Sequence, residues 1–132
     1  MLTPDKTSLK IAIVDDEKEL ADICSKVLVK IGYSSPSVFN DGTSLIRSMM
    51  NDKQSYDVIL MDYRMPEMNG IEAAKILMRY KPQTKIVMTT GYDFVRQQAA
   101  DLGIPFLQKP FTMKQLAECL DNLKLEKYPV LG

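Results

Sequence analysis

Asp15 and Asp16 stand together directly after an apolar run, and Asp62 closes a second such run. Thr90 ends a third, and Lys109 follows a short fourth. Any one of these has an ordinary explanation. Asp15 can cap the helix that follows it, Asp62 can start a turn, Thr90 can cap, and Lys109 can be a surface lysine. Three carboxylates brought to one place need more than that. Two of them about 5 Å apart repel by roughly 3 kcal/mol at an effective dielectric of 20. A hard divalent cation relieves the repulsion, and oxygen-only ligands with positions left for water suit Mg²⁺. With the cation bound, an acidic pocket can accept the phosphoryl group it would otherwise repel. Asp62 then becomes a candidate carboxylate nucleophile that forms an acyl phosphate. Lys109 and Thr90 supply a cation and a hydroxyl for the phosphoryl oxygens.

The composition removes the competing chemistries. The 132 residues contain no histidine, which excludes His-based triads, imidazole metal sites and a histidine phosphodonor within the chain. Cys24 and Cys119 cannot make a disulfide framework and read as reduced thiols in a cytoplasmic protein. Lys+Arg and Asp+Glu are both 17, so no basic excess points to nucleic acid. No apolar run approaches the ~18 residues that span a bilayer, and the start MLTPDKTSLK lacks a signal peptide's apolar region. With 45% hydrophobic and 26% charged residues, a chain of this length buries about two-thirds of its extended surface and needs no staples.

The elements that must position these groups alternate. Leu9 to Val14 is a compact, β-branched run and reads as a buried strand. Leu20, Cys24, Val27, Leu28 and Ile31 follow on one helical face, stopped by Gly32. Ser34 to Phe39 is a weaker strand, and its Pro36 assigns it to a sheet edge. Asp41 to Met50 is a helix with Leu45 and Met49 inward, and Asp57 to Asp62 is a second buried strand. Ile71 to Tyr80 is a helix with Ile71, Ala74, Leu77 and Met78 inward. Lys85 to Thr90 and Pro105 to Leu107 are strands four and five, separated by a short helix over Asp93 to Leu102. The last helix opens with Thr112 and Gln115 at capping-box spacing, with Met113, Leu116, Leu120 and Leu123 inward. The tail Lys127 to Gly132 reads as a frayed end.

Strand alternating with helix predicts an α/β fold, a flavodoxin-like doubly wound parallel sheet of five strands with helices on both faces. One domain over residues 1–132 is expected, its core about 9–125. Right-handed crossovers and an edge position for the Pro36 strand favour the order 2-1-3-4-5. The crevice then lies beyond the carboxyl ends of strands one and three, where Asp15, Asp16 and Asp62 stand.

The segments IAIVDDEKEL, DVILMDYRMPEMNG, IVMTTGY and FLQKPF resemble the successive motifs of a response-regulator receiver domain, from about Lys10 to Leu125. The resemblance implies that Asp62 is the phosphoacceptor and a metal ligand, and Asp16 a direct metal ligand. Asp15 would ligate directly or through water, and the backbone carbonyl of Arg64 would complete the set around Mg²⁺, with Mn²⁺ able to replace it. Thr90 is similar to the switch hydroxyl, Lys109 to the phosphate-contacting lysine and Phe106 to the switch aromatic. Pro110 would follow a cis peptide bond, and Gly91 would let backbone approach the phosphoryl group. The implied partners are a sensor histidine kinase or phosphotransfer protein and a downstream protein on the face of helix four, strand five and helix five. The chain itself would be a cytoplasmic monomer or weak dimer.

Some residues depart from the family's habits. Phe106 lacks the hydroxyl of the tyrosine common at that place. The stretch from Thr90 to Lys109 is about a turn shorter than in many receivers, which leaves the fourth helix open in length and position. Arg64 and Tyr92 flank the path expected for hydrolytic water and are candidates for tuning dephosphorylation. Arg64 has three readings: a shield, an arginine finger that speeds hydrolysis, or a solvent-facing partner of Glu67. Tyr92, Phe94 and Val95 lie either on a partner face or in the core. Met65 and Met68 suggest adaptable packing or an adaptable surface.

Three rivals were weighed. A flavodoxin-like cofactor binder wants a Ser/Thr/Gly-rich loop where Asp15-Asp16-Glu17 stands. An aspartyl phosphatase wants an acid at Arg64, so an enzyme of multiple turnover is not expected. A degenerate receiver, kept as a phosphorylation-independent binding module, would not keep all five site residues. No output domain follows, so direct contact with nucleic acid is not expected.

Overall fold

The structure, a computed structural model, describes residues 5–51, 54–123 and 125; the tail Lys127 to Gly132 lies outside them. A 3-10 turn, Lys6–Ser8, leads into β1 (Ile11–Val14), α1 (Lys18–Lys30), β2 (Ser37–Phe39) and α2 (Gly42–Asn51). There follow β3 (Val58–Asp62), α3 (Gly70–Tyr80), β4 (Lys85–Thr90), α4 (Val95–Asp101), β5 (Phe106–Gln108) and α5 (Met113–Asp121). The five strands form one parallel sheet in the order β2-β1-β3-β4-β5, as the sequence predicts, with β2 at an edge.

Side chains alternate across each strand, so one sheet builds two cores. Ala12, Val14, Ile59, Met61, Ile86 and Met88 meet Leu45 and Met49 of α2, Ala73, Ala74 and Leu77 of α3, and Val95 and Ala99 of α4. Ile11, Ile13, Val58, Leu60, Val87 and Leu107 meet Ala21 and Leu28 of α1 and Leu116 and Leu120 of α5. Strands β1 and β3 are buried along their whole length, which is why both read as unbroken apolar runs.

The helix ends follow local chemistry. Gly32 stops α1 at φ 109°, a conformation closed to most side chains. Asp41 accepts from the Ser44 amide at 2.7 Å and opens α2. Thr112 and Gln115 form the expected capping box on α5. A second box, Asn69 with Glu72, starts α3 at the same spacing.

Some details differ from expectation or settle what the sequence leaves open; β2 begins at Ser37, so Pro36 precedes the strand. Leu20, Met78 and Met113 were expected inward but are 40%, 38% and 38% exposed. Leu20 and Met113 belong to helix ends that overhang the carboxyl edge of the sheet, where they line a cleft instead of the core. Met78 lines a groove at the opposite end. Helical periodicity fixes a face but not where the sheet beneath it stops. Met65 is buried, and Met68 packs against the first core, so neither forms an open surface. Of the three residues left open near α4, Val95 is core, whereas Tyr92 and Phe94 are exposed. Finally, α4 spans seven residues, shorter than the Asp93 to Leu102 stretch expected.

Candidate functional site

Strand register assembles the site. Val14 pairs with Met61, so Asp15 emerges level with Asp62. Asp62 pairs with Thr89, which puts Thr90 one step beyond it. Thr90 pairs with Gln108, and Lys109 is the next residue along. Four strands therefore deliver their terminal polar residues to the same edge. One carboxylate oxygen each from Asp15, Asp16 and Asp62 lies within 4.8 Å of the others. The acids, Thr90, Lys109 and Arg64 share one cleft of ≈ 750 Å³.

The contacts inside this cleft are unequal. Lys109 Nζ donates to Asp15 Oδ2 at 2.7 Å but stands 3.6 Å from Asp62 Oδ1. Asp15 Oδ1 also accepts from the Glu17 amide at 2.9 Å, so both its oxygens hold donors. Asp62 Oδ1 accepts from the Tyr63 amide at 2.9 Å. Asp15 and Asp62 are buried, while Asp16 is exposed. One cation cannot compensate two buried carboxylates equally. Burial pushes the Asp62 carboxyl up to about 6; Lys109 and the Tyr63 amide oppose this, while the charges of Asp15 and Asp16 add to it. Burial works against the Lys109 charge too, but the hydrogen bond to Asp15 and the pull of Asp62, Asp15 and Glu17 outweigh it and raise its pKa. The site holds excess negative charge around Asp62, which is what a divalent cation corrects.

Backbone geometry supports the same edge. Thr90 is buried, and its Oγ1 accepts from the Tyr92 amide at 3.2 Å. The Lys109 amide donates to the Thr90 carbonyl at 2.9 Å. The Lys109–Pro110 peptide bond is cis, as the resemblance implies. Close backbone packing occurs at Gly70, and space is left beside Gly91. A Cβ on Gly70 would overlap the Asp62 carbonyl oxygen, whereas on Gly91 its nearest neighbour would be the Lys109 carbonyl at 3.8 Å.

Arg64 does not pair with Glu67. Its Nη1 donates to the Tyr92 hydroxyl at 2.6 Å, and Glu67 instead accepts from Thr43 at 3.5 Å. The rings of Tyr63 and Phe94 meet edge to face at 5.6 Å, and Phe94 lies 5.6 Å from Tyr92, backing the Arg64–Tyr92 link with aromatic contacts. The sequence shows each residue but not the link, because the partners are 28 positions apart. Phe106 lies outside the cleft, half-buried against the first core and beneath Arg96. Cys24 lines the cleft, and burial pushes its thiol up to about 11, so it stays protonated; both cysteines are free.

Comparison with known proteins places this geometry. Residues 11–121 match the family profile described as the response regulator receiver domain. The chain is 29% identical over 117 residues to chemotaxis protein CheY of Thermotoga maritima, covering 86% of this chain and 96% of that one. It is 34% identical over 110 residues to transcriptional regulatory protein CpxR of Escherichia coli K12, covering 81% of this chain but 45% of that protein. Among solved structures, response regulator protein TrrA of Thermotoga maritima in complex with Mg²⁺-BeF shares the fold at a TM-score of 0.77 and 24% identity, over 86% of this chain and 96% of that one. Among the described residues, no helix is long and apolar enough to cross a membrane.

Proposed function

The chain belongs to the response regulator receiver domain family of two-component signalling, and from that premise we propose that it is a phosphorylation switch with Asp62 as acceptor. The observation that carries the proposal is the acidic triad within 4.8 Å with Lys109 between Asp15 and Asp62. The donor is a phosphohistidine on a sensor histidine kinase or phosphotransfer protein. An Asp62 carboxylate oxygen attacks phosphorus, the O–P bond forms, the N–P bond breaks, and the imidazole leaves with the electron pair. The Tyr63 amide and Lys109 Nζ both face Oδ1 of Asp62, which leaves Oδ2 as the attacking atom. Lys109 moves its positive charge from the carboxylates to the phosphoryl oxygens.

The donor set fits Mg²⁺, or Mn²⁺ in its place: three carboxylates, no nitrogen or sulfur, and an open cleft. Asp16 and Asp62 would hold the ion together with the Arg64 carbonyl, and Asp15, whose oxygens are held by Lys109 and the Glu17 amide, would complete the set. The ion would neutralise charge on the transferring phosphoryl group. Leu20, Ile23, Val27, Phe111 and Met113 line the same cleft beside the acids and offer the kinase an apolar footing. Phosphorylation draws the Thr90 hydroxyl toward the phosphoryl oxygens, Phe106 fills the space, and the α4–β5–α5 face changes for a cytoplasmic partner. The chain is not a multiple-turnover phosphatase, since Arg64 stands where the general acid would be needed.

The deciding experiment uses acetyl phosphate or phosphoramidate with Mg²⁺. One acid-stable, base-labile phosphate per chain is expected, and Asp62→Asn should abolish it. Undiminished labelling in that variant would refute the assignment, and no labelling of the unaltered chain would favour the degenerate receiver.

A further inference from the structure

The α4–β5 edge carries a cluster that neither the acid site nor the cores employ. Helix α4 is seven residues long and buries only Val95 and Ala99. A helix that short draws its stability from tertiary contacts. Arg96, next to the first anchor, reaches across the edge strand. Its Nη2 donates to Gln108 Oε1 at 2.9 Å, and its Nε donates to Asp93 Oδ1 at 3.2 Å. Its Cζ stands 4.5 Å from the centroid of the Phe106 ring. Phe106 and Gln108 are two apart on β5 and share a face, while Leu107 between them enters the opposite core. A planar guanidinium can lie flat on a ring while its in-plane N–H groups donate to two acceptors; a lysine ammonium has no such plane or fork.

The three partners stand on chain segments that adjoin the acid site. Gln108 immediately precedes Lys109, Asp93 lies three residues after Thr90, and Phe106 pairs in register with Met88 on β4. We propose that Arg96 is a positioning residue that clasps α4 to β5 and thereby couples occupancy of the Asp62 site to the α4–β5–α5 face. The coupling rests on the switch reading above. A Phe106 ring stacked under the guanidinium must leave that stack to turn toward Thr90, and leaving it releases α4. The closed clasp and an occupied site oppose one another, so opening the clasp by mutation must favour occupancy.

The full chain is tested with Arg96→Met and Arg96→Lys, using Mg²⁺ with beryllofluoride as the probe. Calorimetry should show Arg96→Met binding the probe about fivefold more tightly than the unaltered chain. Hydrogen exchange should be at least about fivefold faster for the amides of α4, with β1 and β3 unchanged. Arg96→Lys should behave like Arg96→Met, because charge alone does not rebuild the stack and the fork. Equal or weaker binding by Arg96→Met overturns the coupling. Faster exchange throughout the sheet marks general destabilisation and overturns it as well, as does full rescue by lysine. If the unaltered chain binds no probe, the acceptor reading fails and takes the coupling with it, while α4 exchange alone reports whether the clasp exists.

Discussion

Two cation–carboxylate contacts lie on either side of β5, and they differ in almost everything but chemistry. Lys109 meets Asp15 with side chains 21% and 6% exposed, in a crevice that also holds Asp62. Arg96 meets Asp93 with side chains 56% and 75% exposed. In the crevice, solvent screens the charges poorly, so each carboxylate needs a partner and the supply is one short. At the surface, water supplies whatever the protein does not. The contrast separates an electrostatic site from a geometric one. The crevice works because its charges are unbalanced, whereas the Arg96 cluster works through shape and hydrogen bonding.

The largest effect should come from removing the scarce cation. Lys109→Met leaves Asp15 and Asp62 buried beside each other with no positive charge between them. Breaking a buried pair from one side costs about 3–5 kcal/mol; the open cleft lowers this to about 2 kcal/mol. Urea unfolding in chelator at neutral pH should show that loss, and saturating Mg²⁺ should recover much of it. A loss under about 0.5 kcal/mol would mean that the carboxylates are already compensated by water.

Next is the carboxylate left undercompensated. The Asp62 carboxyl is raised to about 6 from its ordinary value of 3.8, so between those values the folded state binds the extra proton. Its stabilising contribution is complete below about pH 4 and is lost as pH rises through about 6. In chelator, Asp62→Asn and the unaltered chain should therefore be equally stable near pH 4. The variant should be ahead by on the order of 1–2 kcal/mol at pH 7, the gap opening across that window. A difference independent of pH would show that the amide acts by packing rather than by removing charge.

A third effect concerns the lifetime of the acyl phosphate. Arg64 and Tyr92 are joined at 2.6 Å beside the acid site and are backed by the Tyr63 and Phe94 rings. A joined pair shields the phosphoryl group from water better than two independent side chains. Arg64→Asn with Tyr92→Glu should speed phosphate loss about tenfold, a barrier lower by about 1.4 kcal/mol. Slower loss would instead identify Arg64 as assisting hydrolysis.

The crevice was legible in the sequence and the Arg96 cluster was not, for a physical reason. Parallel strands buried on both faces appear as short apolar runs, and the residues that end them must share an edge once strand order is known. Pro36 supplied the edge strand, and Asp15, Asp62, Thr90 and Lys109 followed from strand ends alone. Arg64–Tyr92 and Arg96–Phe106 depend on where loops and a seven-residue helix come to rest, which no periodicity encodes. Leu20 and Met113 differ from expectation for a related reason: a helical stripe does not reveal that its first turn overhangs the sheet. The Asn69 capping box carries its signal in its spacing.

The smallest effect sharpens the comparison most. Asp93→Asn removes the charge from the exposed pair while leaving a side-chain carbonyl able to accept from Arg96 Nε. If the Arg96 cluster is geometric, this substitution should change stability by less than about 0.5 kcal/mol. The difference should vanish in about 1 M salt, where the screening length falls to about 3 Å. Exchange of the α4 amides should stay near that of the unaltered chain, because the Gln108 hydrogen bond and the Phe106 stack remain. Arg96→Met, which loses all three contacts, should free the helix. The two variants thus divide the charge of the cluster from its shape. An Asp93→Asn variant that loosened α4 as much as Arg96→Met would show that both sides of β5 are governed by charge, and the distinction between them would fall.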